Sequence, residues 1–171
     1  MRSGLDASYE EFAGAATQRL LGLAFALTGD PHDAWDLTQA TLARVGERWL
    51  RSGAAPLADP AAYARTVMVR LNIDRIRRLR RELLPGSTPD SLVVEVTGEV
   101  DAWLVEALAT LSPRQRTAVA LRFVEDLDVA GVAERMGCSV GTAKSHLSRG
   151  TDRLKQYATA AGITTAGQET P

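Results

Sequence analysis

The chain has 171 residues, of which 45% are hydrophobic and 24% charged, a composition typical of one or two small folded domains. With one cysteine and two histidines, it cannot form an internal disulfide bond and has few ligands for a metal site. No apolar segment approaches the roughly 20 residues that span a bilayer, and the first residues lack a signal-peptide pattern. We therefore expect a cytoplasmic protein with no cofactor, no metal and no membrane insertion.

Charge is distributed unevenly along the chain, although the formal net charge is only −1. Residues 59–81 carry seven arginines and two aspartates, whereas residues 82–113 carry six acidic residues and no basic one. Residues 139–155 are basic again, with four basic residues against one aspartate. Two basic segments on predicted helices indicate a polyanionic partner, because clustered charge of one sign attracts partners of the opposite sign.

Apolar residues at helical spacing predict three helices in the first half of the chain: 9–27, 31–49 and 60–83. Asp30 and Asp59 each stand before a proline, the arrangement of an N-cap followed by the first helical residue. Residues 51–57, with a glycine and a proline, are expected to form a loop. In the third helix, the side chains expected to face the core are Tyr63, Val67 and Leu71.

Four further helices are predicted in the second half: 100–110, 113–125, 129–136 and 140–158. Ser112, Asp128 and Ser139 are expected to cap the last three. The fold class is therefore predicted as all-α, with two small helical domains joined by a flexible acidic linker. The predicted boundaries are 1–84 for the first domain, 85–99 for the linker, 100–158 for the second domain and 159–171 for a disordered tail.

Residues 128–153 have the pattern of a helix-turn-helix, with a tight turn at residues 137–139 where Gly137 permits a left-handed backbone. In the second helix, the residues expected to face inward are Val140, Ala143 and Leu147. Its outward face carries side chains of the kind that reach phosphates and base edges in the major groove: Thr142, Lys144, Ser145, His146, Ser148 and Arg149. The structural alternative is a helical hairpin with a hydrated face.

The predicted helix over residues 59–82 has one apolar side and is otherwise rich in arginine. With a rise of about 1.5 Å per residue, it could lay its arginines along several phosphates of a nucleic acid. A basic amphipathic helix could equally bind RNA or a membrane surface, so this segment alone does not select one partner.

Three segments, in this order, resemble the extracytoplasmic-function sigma factors of the sigma-70 family, and most of all actinobacterial members of the SigE type. They are DAWDLTQATLARVGERW at residues 33–49, DPAAYARTVMVRLNIDRIRR at 59–78, and LVEALATLSPRQRTAVALRFVEDLDVAGVAERMGCSVGTAKSHLSRG at 104–150. The third segment alone is also similar to response-regulator output domains, whereas the three together are specific. The resemblance covers the chain up to about Tyr157.

The resemblance implies a sigma factor that binds core RNA polymerase, directs it to promoters and assists their melting, with no catalytic activity of its own. The first segment would dock on the clamp of the largest polymerase subunit through Asp36, Gln39, Thr41 and Arg44. The second would bind the −10 element through Tyr63, Arg65, Arg70, Asn72, Arg75, Arg77 and Arg78. The third would bind the −35 element through the six outward-facing residues of the helix-turn-helix.

Further partners implied by the resemblance are the flap of the polymerase and a possible anti-sigma factor. The acidic linker would either pass through the nucleic-acid channels of the polymerase or serve as a solvated tether. Functions of other classes stay open on the residues alone: a helix-turn-helix regulator that does not bind core polymerase, a small helical nuclease or hydrolase, and an interaction module without affinity for DNA.

Overall fold

The structure is a computed structural model that describes residues 2–52, 57–82 and 102–163. Within these ranges the chain forms seven α-helices and no β-strand, which confirms the predicted all-α class. The helices are α1 (Arg2–Thr28), α2 (Pro31–Ser52), α3 (Pro60–Glu82), α4 (Ala102–Ala109), α5 (Pro113–Phe123), α6 (Val129–Met136) and α7 (Val140–Ala160). The chain divides into two compact units: unit 1 is Met1–Val94, with α1 to α3, and unit 2 is Glu95–Pro171, with α4 to α7.

The three long helices of unit 1 pack against one another, and each helix contacts the other two. Apolar residues three and four positions apart give each helix one buried stripe. The core is formed by Leu20, Leu23, Ala24 and Leu27 of α1, Ala34, Leu37 and Val45 of α2, and Ala64, Met68 and Val69 of α3. Burying a leucine or valine contributes about 1.5–3 kcal/mol, so these stripes fix which faces remain for partners.

The starts of α2 and α3 are fixed by the two aspartates predicted as caps. The Asp30 carboxylate accepts the backbone N–H of Asp33 at 2.8 Å, and the Asp59 carboxylate accepts that of Ala62 at 2.8 Å. Gly29, with φ of 69°, turns the chain between α1 and α2 in the left-handed conformation that glycine adopts without steric cost. These contacts confirm the predicted caps and the predicted break between α1 and α2.

The buried face of α3 differs from the predicted one by about one residue. Ala64 and Met68 are fully buried, whereas Tyr63, Val67 and Leu71 are only half-buried. One residue corresponds to a rotation of 100° about the helix axis. The apolar residues of α3 occupy several successive positions, so their spacing alone does not select one face, and packing against α1 and α2 decides it.

Two predicted helix ends lie further along the chain in the structure. α2 continues to Ser52, and α7 continues to Ala160, into the segment predicted as a tail. The N–H of Ile163 donates to the carbonyl of Ala158 at 2.9 Å around Gly162, whose φ is 67°, so the end of α7 is closed by a left-handed glycine. The rest of the predicted loop, linker and tail falls outside the described residues: 53–56, 85–99 and 164–171.

In unit 2, α7 packs against α4, α5 and α6. The fully buried side chains at the centre are Thr117, Leu121, Val132 and Ala143. Arg116 of α5 holds the end of α4, since its Nε donates to the carbonyl of Leu108 at 2.9 Å and its Nη2 to that of Leu111 at 3.1 Å. Ser112 and Gln115 form a reciprocal capping box at the start of α5. The Ser112 cap predicted from the sequence is therefore confirmed, and Arg116 joins the end of α4 to α5.

Candidate nucleic-acid interface

Local hydrogen bonds build the turn between α6 and α7. At the start of α6 the Asp128 carboxylate accepts the N–H of Gly131 at 2.7 Å, and at the start of α7 the Ser139 hydroxyl accepts the N–H of Thr142 at 3.1 Å. Gly137 ends α6 with φ of 63° and ψ of 43°, the left-handed cap. The predicted helix-turn-helix is therefore present, with its turn and both caps at the predicted residues.

α7 crosses α5 closely at Gly150, which is buried. A Cβ at this position would lie 2.8 Å from Cγ2 of Val119 and 3.4 Å from Cβ of Gln115. The glycine thus allows the start of α5 to lie directly over the middle of α7. Ala143 and Leu147 face inward as predicted, so the opposite side of α7 is left for contacts with a partner.

The expectation that Val140 faces inward is wrong, because its side chain is 54% exposed. Val140 is the first residue of α7, and the buried stripe of the helix begins three residues later at Ala143. The apolar spacing predicts that the buried stripe begins at Val140, whereas in the folded unit it begins at Ala143.

Five of the six residues predicted on α7 to contact DNA are exposed: Thr142, Lys144, Ser145, Ser148 and Arg149. Four of them line a shallow concave surface together with Gly141. The Ser145 hydroxyl donates to the Gly141 carbonyl at 3.0 Å, so it also has a partner within its own helix. In the described part of the chain, Lys144 and Arg149 have no ion-pair partner, which leaves two cations available on this surface.

His146, the sixth predicted contact, is half-buried and differs from the others in its electrostatic surroundings. Burial lowers the pKa of His146, and the positive charges of Arg114 on α5 and Arg149 on α7 lower it further. Arg114 was not among the residues singled out from the sequence. The signal that could have found it is its position in the first turn of α5, two residues after the Ser112 cap, because Gly150 allows this part of α5 to lie close to α7.

On α2, three of the four residues expected to bind the polymerase are exposed: Asp36, Gln39 and Arg44. The fourth, Thr41, is fully buried, and its hydroxyl donates to the carbonyl of Leu37 at 2.7 Å. The contact of Thr41 with the polymerase stays a prediction, and the burial of this side chain does not favour it. Trp35, which was not singled out from the sequence, is 49% exposed beside Asp36.

The seven residues expected on α3 to bind DNA occupy three environments. Arg70, Arg77 and Arg78 are exposed, and Tyr63, Arg65 and Arg75 are half-buried. Asn72 is 1% exposed and belongs to the core of unit 1, so its contact with DNA stays a prediction that its burial does not favour. Arg75 forms an ion pair with Asp33 of α2, so its guanidinium already holds α3 against α2.

Among the described residues, no helix combines the length and apolar character needed to cross a membrane. The same residues contain no group of three or more histidine, cysteine, aspartate or glutamate side chains that could hold a metal ion. Cys138 is a free thiol, half-buried in the turn between α6 and α7.

Comparison with known proteins matches both units to one family. Residues 15–82 match the model of Sigma-70 region 2, and residues 101–154 match that of Sigma-70, region 4. The RNA polymerase sigma-E factor of Streptomyces antibioticus is 36% identical to this chain, over 91% of the chain and 87% of the relative. The chain is an extracytoplasmic-function sigma factor of the sigma-70 family. The sigma-E factor of Streptomyces coelicolor, 37% identical over 86% of this sigma factor and 84% of its own length, is similar too.

The fold of the sigma factor is also found in a solved structure. The sigma factor RpoE of Bartonella quintana, crystallised with the anti-sigma factor NepR, superimposes with a TM-score of 0.64 at 24% identity. The match covers 89% of this sigma factor and 97% of that chain. As a sigma factor, the protein binds core RNA polymerase, directs it to specific promoters and assists promoter melting. The prediction from the sequence is thereby confirmed, and the alternative of a regulator that acts without the polymerase is not supported.

Proposed function

We propose that the two units of the sigma factor divide the promoter between them. Unit 2 binds the −35 element through α7, while unit 1 docks on the polymerase clamp through α2 and binds the −10 element through α3. The observation that carries this proposal is the exposed face of α7, where two cations and several hydroxyl groups follow a firmly capped turn. The second helix of a helix-turn-helix places an exposed face of this kind in the major groove of DNA.

At the −35 element, Lys144 and Arg149 have different roles. Lys144 is a compact charge that neutralises a phosphate, and such contacts weaken with salt because they release counterions. Arg149 has a planar guanidinium that can bond both O6 and N7 of a guanine, a contact worth about 1–3 kcal/mol of discrimination. The short hydroxyl side chains Thr142, Ser145 and Ser148 are compatible with close approach of bases to the helix.

At the −10 element, the exposed arginines Arg70, Arg77 and Arg78 would hold phosphates of the separated strand. Tyr63, near the start of α3, would stack on an unpaired base. Opening the duplex costs about 0.6–2.2 kcal/mol per base-pair step, so stacking and phosphate contacts must supply a comparable free energy. On α2, exposed Trp35 lies on the side of the helix that carries Asp36 and Gln39, and tryptophan is a residue type common at the centre of protein interfaces.

The location, the lack of catalytic activity and the further partners of the protein are inferred from its role as a subunit of the polymerase holoenzyme. The sigma factor would act in the cytoplasm and would have no catalytic residues of its own. The flap of the polymerase and an anti-sigma factor stay predictions from the family resemblance. The Bartonella structure is of a sigma factor in complex with an anti-sigma factor, and a pull-down from the native cell would identify an equivalent partner here.

The −35 assignment is tested with holoenzyme formed from core polymerase and the full chain, on promoters found by mapping transcription start sites. Lys144→Ala should weaken binding similarly on all promoters and reduce the slope of log K against log salt by about one. Arg149→Ala should weaken binding by about 1–3 kcal/mol and relax the preference at one base pair of the −35 element.

Arg19→Ala is the charge-matched control, because Arg19 is an exposed arginine on α1 outside the proposed interface. It should retain the affinity, the salt slope and the promoter preference of the unmodified protein. If Lys144→Ala and Arg149→Ala also retain all three, α7 is not the helix that binds the −35 element.

A further inference from the structure

Val140 is an exposed apolar side chain at the edge of an otherwise polar and cationic surface. Its side chain is 54% exposed although valine is usually buried, and it directly precedes Gly141, which lines the shallow concave surface of α7. Burial in the core of unit 2 therefore does not account for a β-branched apolar residue at this position.

Helix geometry sets Val140 in line with the residues proposed to bind DNA. Lys144 and Ser148 follow it by four and eight residues, so the three side chains lie one above the other on one face of α7. Lys144 and Ser148 both line the concave surface. Val140 is the end of this row nearest the turn, and the first residues of a recognition helix are those that reach base edges.

The backbone around Val140 holds the side chain in a defined place. The Ser139 hydroxyl caps α7 by accepting the N–H of Thr142 at 3.1 Å and lies 2.8 Å from the Thr142 hydroxyl. Valine has one strongly preferred rotamer in a helix, so little conformational entropy is lost when it contacts a partner. A rigid apolar group of this kind is suited to a small apolar partner at a fixed position.

We propose that Val140 is a specificity-determining residue that contacts the 5-methyl group of a thymine in the −35 element. The proposal rests on the proposed docking of α7 in the major groove. In that groove, thymine is the base whose edge offers a methyl group, while the other bases offer hydrogen-bond donors and acceptors that valine cannot satisfy. Lys144 and Arg149 would bind phosphates and polar base edges around it, and Val140 would add preference for thymine at one base pair.

The test removes the methyl group from the DNA rather than from the protein. The holoenzyme first selects duplexes that carry its −35 element from a randomised library. In a selected duplex, each thymine of the −35 element is then replaced, one at a time, by deoxyuridine, which lacks the 5-methyl group. For the unmodified protein, one replacement should weaken binding by about fourfold, the effect of one buried methyl-sized group. For Val140→Ala, the same replacement should change the affinity less than twofold.

Val124→Ala is the matched control, since Val124 is also a valine of unit 2, is 53% exposed, and lies at the C-cap of α5 rather than on α7. It should keep the fourfold preference for thymine over deoxyuridine. Thermal unfolding of Val140→Ala should match that of the unmodified protein, because the residue is exposed.

The proposal is overturned if no deoxyuridine replacement in the −35 element weakens binding, or if the penalty persists in Val140→Ala. Failure of the proposed function gives a different result. In that case Lys144→Ala and Arg149→Ala would also leave binding to these duplexes unchanged, whereas failure of the Val140 proposal alone leaves both of those losses in place.

Discussion

The two units present their candidate binding residues in different ways. On α7 of unit 2, five of six predicted contacts are exposed and the sixth, His146, is half-buried. On α2 and α3 of unit 1, Thr41 and Asn72 lie in the core and Arg75 is engaged by Asp33. The predicted contact residues of unit 2 are therefore mostly accessible to a partner. In unit 1, by contrast, some of the predicted contact residues take part in the packing of the unit itself.

The difference arises from how polar side chains are satisfied inside long helices. The hydroxyls of Thr38 and Thr41 donate to the carbonyls of Ala34 and Leu37 at 2.8 and 2.7 Å. A threonine bonded in this way can face a core at little cost, so its residue type no longer indicates exposure. In unit 2 the capped turn fixes the first residue of α7, and packing at Ala143, Leu147 and Gly150 leaves the candidate contact residues outside the core.

The largest expected effect concerns the close crossing that orients α7. In Gly150→Val, the Cβ would lie 2.8 Å from Cγ2 of Val119, so α5 and α7 must move apart. Such overpacking costs about 1–3 kcal/mol. Thermal unfolding of the full chain, followed by circular dichroism, should show the transition of unit 2 at a lower temperature and that of unit 1 unchanged.

Gly141→Ala is the control, because the nearest atom to a Cβ at Gly141 is the Ser139 hydroxyl oxygen at 4.0 Å. Replacing a helical glycine by alanine without a clash should stabilise unit 2 by about 0.5–1 kcal/mol. If Gly150→Val melts like Gly141→Ala, α7 is not held by the crossing with α5, and the orientation of its exposed face has another cause.

The second prediction separates exposed from buried candidates on α2. Asp36→Arg reverses an exposed charge and should weaken binding of core polymerase by roughly tenfold, because a cation then stands where the proposed interface is matched to a carboxylate. Thr41→Val keeps the shape of a fully buried side chain and should leave this affinity unchanged. Both are measured by titration of labelled core polymerase. A loss of affinity in Thr41→Val with unchanged stability would return Thr41 to the interface.

Much of this architecture could be predicted from short sequence signals. An aspartate or serine before a helix, a proline after the cap and a glycine at a tight turn act through bonds within a few residues of one another. For this reason the starts of α2, α3, α5, α6 and α7 and the turn at Gly137 are confirmed. The exposed face of α7 is predicted by the inward-facing Ala143 and Leu147, although the third residue of that apolar pattern, Val140, is exposed.

What could not be predicted depends on contacts between distant residues. The Tyr9 hydroxyl donates to the carbonyl of Leu42 at 2.6 Å, and the Tyr9 and Trp49 rings lie 5.8 Å apart, which fixes the start of α1 on the end of α2. The Asp33–Arg75 pair joins residues 42 positions apart. No periodicity within one helix contains such information, and the same holds for the choice of buried face on α3.

A third prediction asks whether Arg75 belongs to the fold or to the DNA-binding surface. The Asp33 and Arg75 side chains are 39% and 31% exposed, so their pair stabilises unit 1 by only about 0–1 kcal/mol. Asp33→Asn should release the guanidinium and steepen the salt dependence of binding to single-stranded −10 DNA by up to about 0.7, one phosphate contact.

Asp74→Asn serves as the control, because Asp74 pairs at 3.6 Å with Arg77 on an exposed turn of α3, where the arginine is already accessible. It should change the salt slope little. If the salt slope of Asp33→Asn is also unchanged, Arg75 does not contact DNA even without its ion pair. Arg75 would then contribute to the packing of unit 1 and not to DNA binding.

The smallest expected effect is a pH dependence of unit 2 that arises at His146. Burial and the charges of Arg114 and Arg149 lower the pKa of His146 below its ordinary value of 6.5, so the folded unit favours the neutral imidazole. A group with a lowered pKa in the folded state binds protons more readily when unfolded. The stability it contributes is therefore present above pH 6.5 and is lost as the pH falls below that value.

Unfolding of unit 2 should thus occur at lower temperature at pH 5.5 than at pH 7.5, and His146→Gln should remove part of this change. His32→Gln is the control, because His32 is exposed on α2 of unit 1. Equal pH dependence in His146→Gln and the unmodified protein would contradict the assignment. Promoter DNA should oppose the effect, since a phosphate near Arg114 and Arg149 favours the protonated imidazole, so the bound complex should lose less stability at low pH than the free protein.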